Sequence, residues 1–155
     1  MSNNQSDKKL PAVLSGVAGE YFVAGELSSR GYLAAITLRN SKGIDITCSN
    51  DDASRSVAIQ VKTNSKSNRD WVLNEKCEDY FAENLFYVFV NLNSRQRPPD
   101  YFIVPSIAVA KSIKEGHQSW LNTSGRNGKI HKDNPMRKFS DIDEQYLSRW
   151  DLLGL

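Results

Sequence analysis

The sequence predicts a single α/β domain with a mixed central β-sheet flanked by helices, and three observations carry that expectation. A helix-favouring run spans residues 12–30 and stops at Gly31. Three strand-like runs then follow one another with turn chemistry between them. Beyond a polar interval, strand-like and helix-like segments continue to the end of the chain. With 155 residues there is enough chain to bury one substantial core.

Residues 1–9 are polar and unpatterned, so they are expected to form a flexible N-terminal tail ahead of a domain at 10–155. Pro11 suits the first turn of the helix, and Gly31 supplies a left-handed stop. The strand-like runs are 32–38, 44–48 and 56–62. Asn40-Ser-Lys-Gly43 and Asn50-Asp-Asp52 separate them, which predicts an antiparallel meander. A polar loop is expected at 64–70 and a short helix at 74–83. Strands follow at 85–92 and 100–104, the latter ended by Pro105. Ser106 is expected to cap a helix reaching about residue 115. After an irregular basic stretch, residues 141–153 present Ile142, Tyr146, Trp150 and Leu153 at helical spacing.

A hydrophobic share of 39% with 25% charged residues is that of an ordinary water-soluble protein. No run approaches the roughly 18 apolar residues of a membrane-spanning helix, and the opening residues lack the apolar segment of a secretory signal. Cytoplasmic residence and no membrane association are therefore expected. Cys48 and Cys77 form no close pair, and only His117 and His131 are present, so neither a disulfide framework nor a thiolate or imidazole metal centre is suggested. Any bound metal should be a hard cation held by oxygen. The net charge of +2 does not by itself announce a nucleic-acid partner. Distribution says more: Lys111, Lys114, Arg126, Lys129, Lys132, Arg137 and Lys138 face only Glu115 and Asp133. That stretch reads either as a phosphate-facing edge or as a solvated basic surface.

Four residues stand out from a purely structural account. On the first helix Glu20 shares a stripe with Val13, Val17, Ala24 and Leu27, where an unpaired carboxylate would cost on the order of several kcal/mol if buried. With Tyr21, Phe22 and Val23 beside it, the plainer alternative is that Glu20 reaches out to water. Gly16 and Gly19 would let this helix approach the sheet closely. In Gly43-Ile-Asp-Ile-Thr-Cys48, strand alternation sends Asp45 away from Ile44 and Ile46. In the next strand Gln60 and Lys62 share a face, roughly 6.6 to 6.8 Å apart along the chain. Matching the apolar faces of the two strands puts Asp45 on the face of Gln60 and Lys62; an open polar sheet face would explain each residue singly. Together, oxygen donors beside an ammonium are what magnesium-assisted phosphodiester hydrolysis requires.

These residues resemble the motif of the PD-(D/E)XK nuclease superfamily, which includes many restriction endonucleases and the archaeal Holliday-junction resolvases. The resemblance runs through Gly16-Val-Ala-Gly-Glu20, Ser41-Lys-Gly-Ile-Asp45 and Ile59-Gln-Val-Lys-Thr63. It implies a restriction-endonuclease-like αβββαβ core and a magnesium- or manganese-dependent endonuclease that hydrolyses phosphodiester bonds in DNA. Asp45 corresponds to the metal-binding Asp, Lys62 to the catalytic Lys, and Glu20 to the helix Glu of the resolvase-like branches. Gln60 stands where most members carry Glu or Asp, which weakens the cation site. The resemblance thus implies a catalytic set of Glu20, Asp45, Gln60 and Lys62, the first three as metal ligands. Ser41, Lys42, Thr63, Lys66 and Arg69 are implied substrate contacts. Nucleic acid is the expected partner, and a homodimer is compatible with the family. The alternative is a catalytically inactive nuclease-fold module that binds nucleic acid or a protein. Trp71 and Trp120 could then dock a partner, although tryptophans more often pack.

Overall fold

The computed structural model describes residues 10–38 and 43–155, so the expected tail at 1–9 lies outside the described residues. Helix α1 (Ala12–Ser29) ends as anticipated, with Gly31 at φ +89° turning the chain back. Strands β1 (Leu33–Ile36), β2 (Ile46–Ser49) and β3 (Ser56–Asn64) form the expected antiparallel meander. The Asn50 side-chain oxygen accepts the Arg55 N–H at 2.9 Å and closes the β2–β3 turn. Four strands remain: β4 (Asp70–Asn74), β5 (Leu85–Asn91), β6 (Asp100–Pro105) and β7 (Met136–Ser140), with helix α2 (Ser106–Asn122) between the last two. The main sheet has the order β1-β2-β3-β5-β6. Only its β3–β5 pair is parallel, so the sheet is mixed as predicted.

Two cores lie on opposite faces of that sheet. On one face Val23 and Leu27 of α1 pack on Ile46, Cys48, Ile59, Val61 and Val88. The buried line of α1 runs Ser15, Gly19, Val23, Leu27 rather than along the expected stripe, and Val13 is 66% exposed. Small size explains the rotation: Gly19 lies so close to β3 that a methyl group there would overlap the Thr63 hydroxyl. Gly16, by contrast, has open space around it. Burial pushes the Cys48 thiol up to about 11, which makes it an inert core group.

On the other face β4 and β7 form a separate two-stranded antiparallel sheet. Their Trp71, Leu73 and Phe139 pack on Tyr87 and Phe89 of β5, Phe102 and Val104 of β6, and Val109 and Ile113 of α2. Trp71, whose ring centre lies 4.9 Å from that of Phe89, is therefore core and not a docking aromatic. Covered on both sides, β5 is buried along its whole length.

Four expectations come out differently. The segment 74–83 is not a helix: alternation in Asp-Trp-Val-Leu-Asn makes β4, and only a 3-10 turn, Glu75–Glu78, follows, with the Asn74 side chain accepting the Lys76 N–H. The αβββαβ core is thus interrupted, with β4 and this turn standing where its second helix was expected. Nor is 141–153 one helix. Asp141 accepts the N–H groups of Gln145 and Tyr146, Glu144 and Ser148 have positive φ, and only Trp150–Leu153 makes a 3-10 turn. Ile103 N–H bonds to Tyr146 O and Ser148 N–H to Tyr101 O, so this segment covers the edge of β6. The basic stretch likewise contains a strand, β7, which sequence alternation over five residues barely announces. Ser106 does not cap α2, which extends to Asn122; its hydroxyl instead donates to Ala82 O and accepts from Ala82 N–H. Among the described residues, no helix is long and apolar enough to cross a membrane.

Gly19→Ala should destabilise the protein by about 1–3 kcal/mol, because Thr63 and its strand must shift to admit the methyl. Gly16→Ala should be neutral or stabilising, since alanine gains up to about 1 kcal/mol over glycine in a helix. Urea unfolding of both variants checks the contrast, and equal midpoints would contradict the close approach.

Candidate active site

Asp45 sits where β2 begins, and its bonds to β3 enclose Gln60 from both sides in sequence. Its N–H donates to Ile59 O at 2.9 Å, and its carboxylate Oδ2 accepts the Val61 N–H at 2.7 Å. The regular ladder starts one residue later, at Ile46 opposite Ile59. The side chain of Asp45 thus supplies the acceptor that backbone pairing would otherwise give Val61, as the two strands part. On its other side Asp45 O accepts the Thr37 N–H at 2.9 Å, and the Thr37 hydroxyl donates to Ile44 O at 2.6 Å. Asp45 is therefore held by its neighbours on both sides, while its second carboxylate oxygen makes no hydrogen bond among the described residues.

Gln60 and Lys62 lie opposite Tyr87 and Phe89 in the β3–β5 register, on the face of the second core. The Gln60 Oε1 is buried and has no hydrogen-bond partner among the described residues. Such an orphaned acceptor costs about 1–3 kcal/mol, which a cation or a water could offset. Beside it, burial and then the neighbouring Cys77 push the Tyr87 hydroxyl above its ordinary range, with smaller contributions from Tyr80 and Asp45, so it stays neutral. Lys62 is half-buried and makes no ion pair or hydrogen bond among the described residues.

Glu20 comes from the opposite face. It lines, with Gly16, Val17, Thr37, Ile44 and Asp45, a cleft of about 310 Å³ between α1 and the start of β2. The structure therefore brings Asp45 to Glu20 on one side and to the Gln60 segment on the other. Glu20 does not share the sheet face of Gln60 and Lys62. Among the described residues no three His, Cys, Asp or Glu side chains gather as a metal cluster. A hard cation that keeps several waters needs fewer: one or two carboxylates and a neutral oxygen suffice. Asp45 and Gln60, with Glu20 across the cleft, are a donor set of that chemistry.

The expected substrate contacts are distributed unevenly. Ser41 and Lys42 lie outside the described residues. Thr63 faces α1 at Gly19, its buried hydroxyl without a partner among the described residues. Lys66 is exposed on the loop after β3. Arg69 is tied internally, its guanidinium donating to Glu144 at 2.9 Å and lying 5.2 Å from the centre of the Phe102 ring. Tyr87, Cys77 and Tyr80 were not singled out from the sequence. Cys77 and Tyr80 act on the hydroxyl of Tyr87, the register partner of Gln60, through the β3–β5 pairing and the chain around the 3-10 turn, neither of which local sequence encodes.

This is the restriction-endonuclease-like α/β architecture, with an Asp at the mouth of β2 and a Gln-x-Lys pair on β3. Among solved structures, the chain is similar to a bacterial homing endonuclease, I-Ssp6803I. That likeness has 13% sequence identity, covers 94% of each chain and gives a TM-score of 0.54. The Holliday junction resolvase Hjc of Archaeoglobus fulgidus is matched at 12% identity over 81% of this chain and 84% of that one, with a TM-score of 0.46. At this identity the first likeness establishes the fold. No protein-family model and no curated protein matches the sequence.

Asp45→Ala should destabilise the protein by about 1–3 kcal/mol by leaving the Val61 N–H without an acceptor. Asp45→Asn, whose amide oxygen can accept that bond, should recover most of the loss. Chemical denaturation of the two variants reads the difference, and an alanine variant as stable as wild type would remove the clamp.

Proposed function

We propose that the chain is a metal-dependent nuclease that hydrolyses phosphodiester bonds in DNA. Its cation would be Mg²⁺ or Mn²⁺, held by Asp45 and Gln60 with Glu20 contributing from α1, and Lys62 would be the catalytic ammonium. The observation that carries the reading is the buried Gln60 Oε1, left without a partner within the segment that Asp45 grips. When bound, the cation would lower the pKa of a coordinated water and offset phosphate charge. Asp45 has one oxygen engaged by Val61 and the other available as a ligand, so it can bind without giving up its structural bond. Lys62, without a partner among the described residues, is available to orient the attacking water or to stabilise charge developing on the phosphate. The buried, neutral Tyr87 and the aromatic surroundings of Phe89 strengthen these electrostatic interactions by limiting water on that face.

Gln60 also favours a second reading, the catalytically inactive nuclease-fold module, because a neutral ligand binds a divalent cation less tightly than a carboxylate does. Manganese titration separates the two. The nuclease reading expects binding that Asp45→Asn removes and Gln60→Glu tightens, whereas a module that only binds is indifferent to both.

Purified protein should nick plasmid DNA in Mg²⁺ or Mn²⁺. Lys62→Ala should reduce that rate by about 100-fold or more with an unchanged circular dichroism spectrum. A fully active Lys62→Ala protein would exclude Lys62 from the chemistry. No nicking by wild type together with metal-indifferent DNA binding would favour the inactive module.

A further inference from the structure

The basic stretch divides in two. Arg137 is paired with Glu78 and Lys138 with Asp70, so both serve the fold. Arg126, Lys129 and Lys132 are exposed and have no ion pair among the described residues. All three lie on or beside a small hairpin in which Ser124 bridges Ile130 in antiparallel fashion. Asn127 at φ 63° and Gly128 at φ 72° make its tip, and the Gly125 N–H donates to Lys129 O at 2.8 Å. Two positive φ values in succession are the backbone of the turns that match strand twist.

This hairpin is mounted rather than loose. His131 Nδ1–H donates to Trp120 O at 2.7 Å, and its ring stacks on the Trp120 indole with centres 4.1 Å apart and 8° between planes. Trp120 also stacks with His117 at 5.4 Å, and His117 Nε2 lies 2.7 Å from Asp133 Oδ1. A Cβ on Gly125 would come within 2.7 Å of the His131 ring, so the turn is seated directly on that stack. Fixing three like charges on so short a ribbon is unfavourable for the isolated protein. Asp133, the nearest acid in sequence, is engaged by His117. The uncompensated charge calls for a polyanion.

The segment that follows the hairpin is tied to the turn next to the candidate site. The chain leaving it passes Pro135, whose carbonyl accepts the Glu75 N–H at 2.9 Å, and then Arg137, which pairs with Glu78. Those contacts bind it to the 3-10 turn that carries Cys77, which packs in the core beside Tyr87, the register partner of Gln60. Ile130, 87% exposed, adds an apolar contact on the same ribbon.

We propose that the hairpin at residues 124–132 is a groove-entering ribbon for duplex DNA. Arg126, Lys129 and Lys132 would contact phosphates on the two sides of the groove, and Ile130 the base edges or sugars. A turn closed by the single Ser124–Ile130 bridge is slender enough for the major groove, about 12 Å wide. The assignment rests on the nuclease reading for its choice of DNA, and deepens it by naming the element that docks.

The test is fluorescence anisotropy with a labelled duplex, and with one of its strands alone, in chelator across a salt series. Wild type should bind the duplex more tightly than the strand. A triple variant Arg126→Gln, Lys129→Gln, Lys132→Gln should bind at least about 10-fold more weakly. Its slope of log affinity against log salt should be shallower by about 0.9 per cation removed, or roughly 3 in all. The charge-conserving Arg126→Lys, Lys129→Arg, Lys132→Arg protein should keep the wild-type slope. Wild-type duplex binding with no change of slope or affinity in the triple variant would overturn the hairpin and leave the nuclease reading standing. Binding of the single strand alone would overturn the groove assignment. No binding of either DNA by wild type in chelator would overturn the hairpin, and the plasmid-nicking assay would then decide the nuclease reading by itself.

Discussion

The two bonds from Asp45 to β3 are the constraint on which the candidate site depends. Where two strands part, the inner strand loses backbone partners, and Val61 would present an unsatisfied N–H beside the core. The Asp45 carboxylate fills that vacancy while its own N–H holds Ile59 O, so the chain on either side of Gln60 is fixed from one residue. One acidic side chain thus terminates the β2–β3 ladder, defines the cleft shared with Glu20 and sets the position of the Gln60 segment. The Thr37 bonds to Asp45 O and Ile44 O bind β1's continuation to the same point.

Two further features make that point a pocket rather than an open sheet end. Gly19 brings α1 against Thr63 on one face, closer than any side chain would permit. On the other, the short turn after β4 brings Cys77 and Tyr80 over the Gln60 face. Gly43, at φ 70°, is in contact with the Tyr80 ring, where a Cβ would lie 2.8 Å away. A full helix at 74–83 would have carried these groups elsewhere. The small β4–β7 sheet anchors the turn from behind, through Arg137 and Glu78 and through Pro135 O and the Glu75 N–H.

What the sequence made legible follows the range of the interactions involved. Helix α1 and the β1–β3 meander are coded locally, by Gly31, the Asn50 turn and strand alternation, and they were read with their correct pairing. So was the common sheet face of Gln60 and Lys62, since alternation fixes it once the strand is recognised. Apolarity alone points to the wrong stripe on α1. The buried line is set by the smallness of Ser15 and Gly19, and a helix apolar all round gives periodicity little to choose from. The errors at 74–83 and 141–153 share another cause. Both segments have helix-compatible composition, but their backbone groups are claimed by distant partners, Asn74–Met136 pairing in one and the open edge of β6 in the other. Pairing between residues more than sixty positions apart in β4 and β7 leaves no local trace. The Tyr87 environment of Gln60 was hidden for the same reason.

Gln60 itself changes the electrostatics of the site in a way that a carboxylate would not. A second acid beside Asp45, against the buried Tyr87 hydroxyl, would impose both desolvation and like-charge repulsion on the metal-free protein. An amide avoids that cost and leaves Asp45, which accepts the Val61 N–H, as the acid at this end of the β2–β3 pair. The same neutrality leaves a divalent cation with less opposing charge from the protein. On the proposed reading the missing negative charge must come from elsewhere, from Glu20 across the cleft or from the substrate phosphate. Cation and phosphate would then strengthen each other's binding, and the site would be fully assembled only with both in place. On that reading a Gln at this position is compatible with catalysis that depends on substrate to complete the metal centre, and the Gln60 oxygen, buried without a partner among the described residues, is the acceptor it would use.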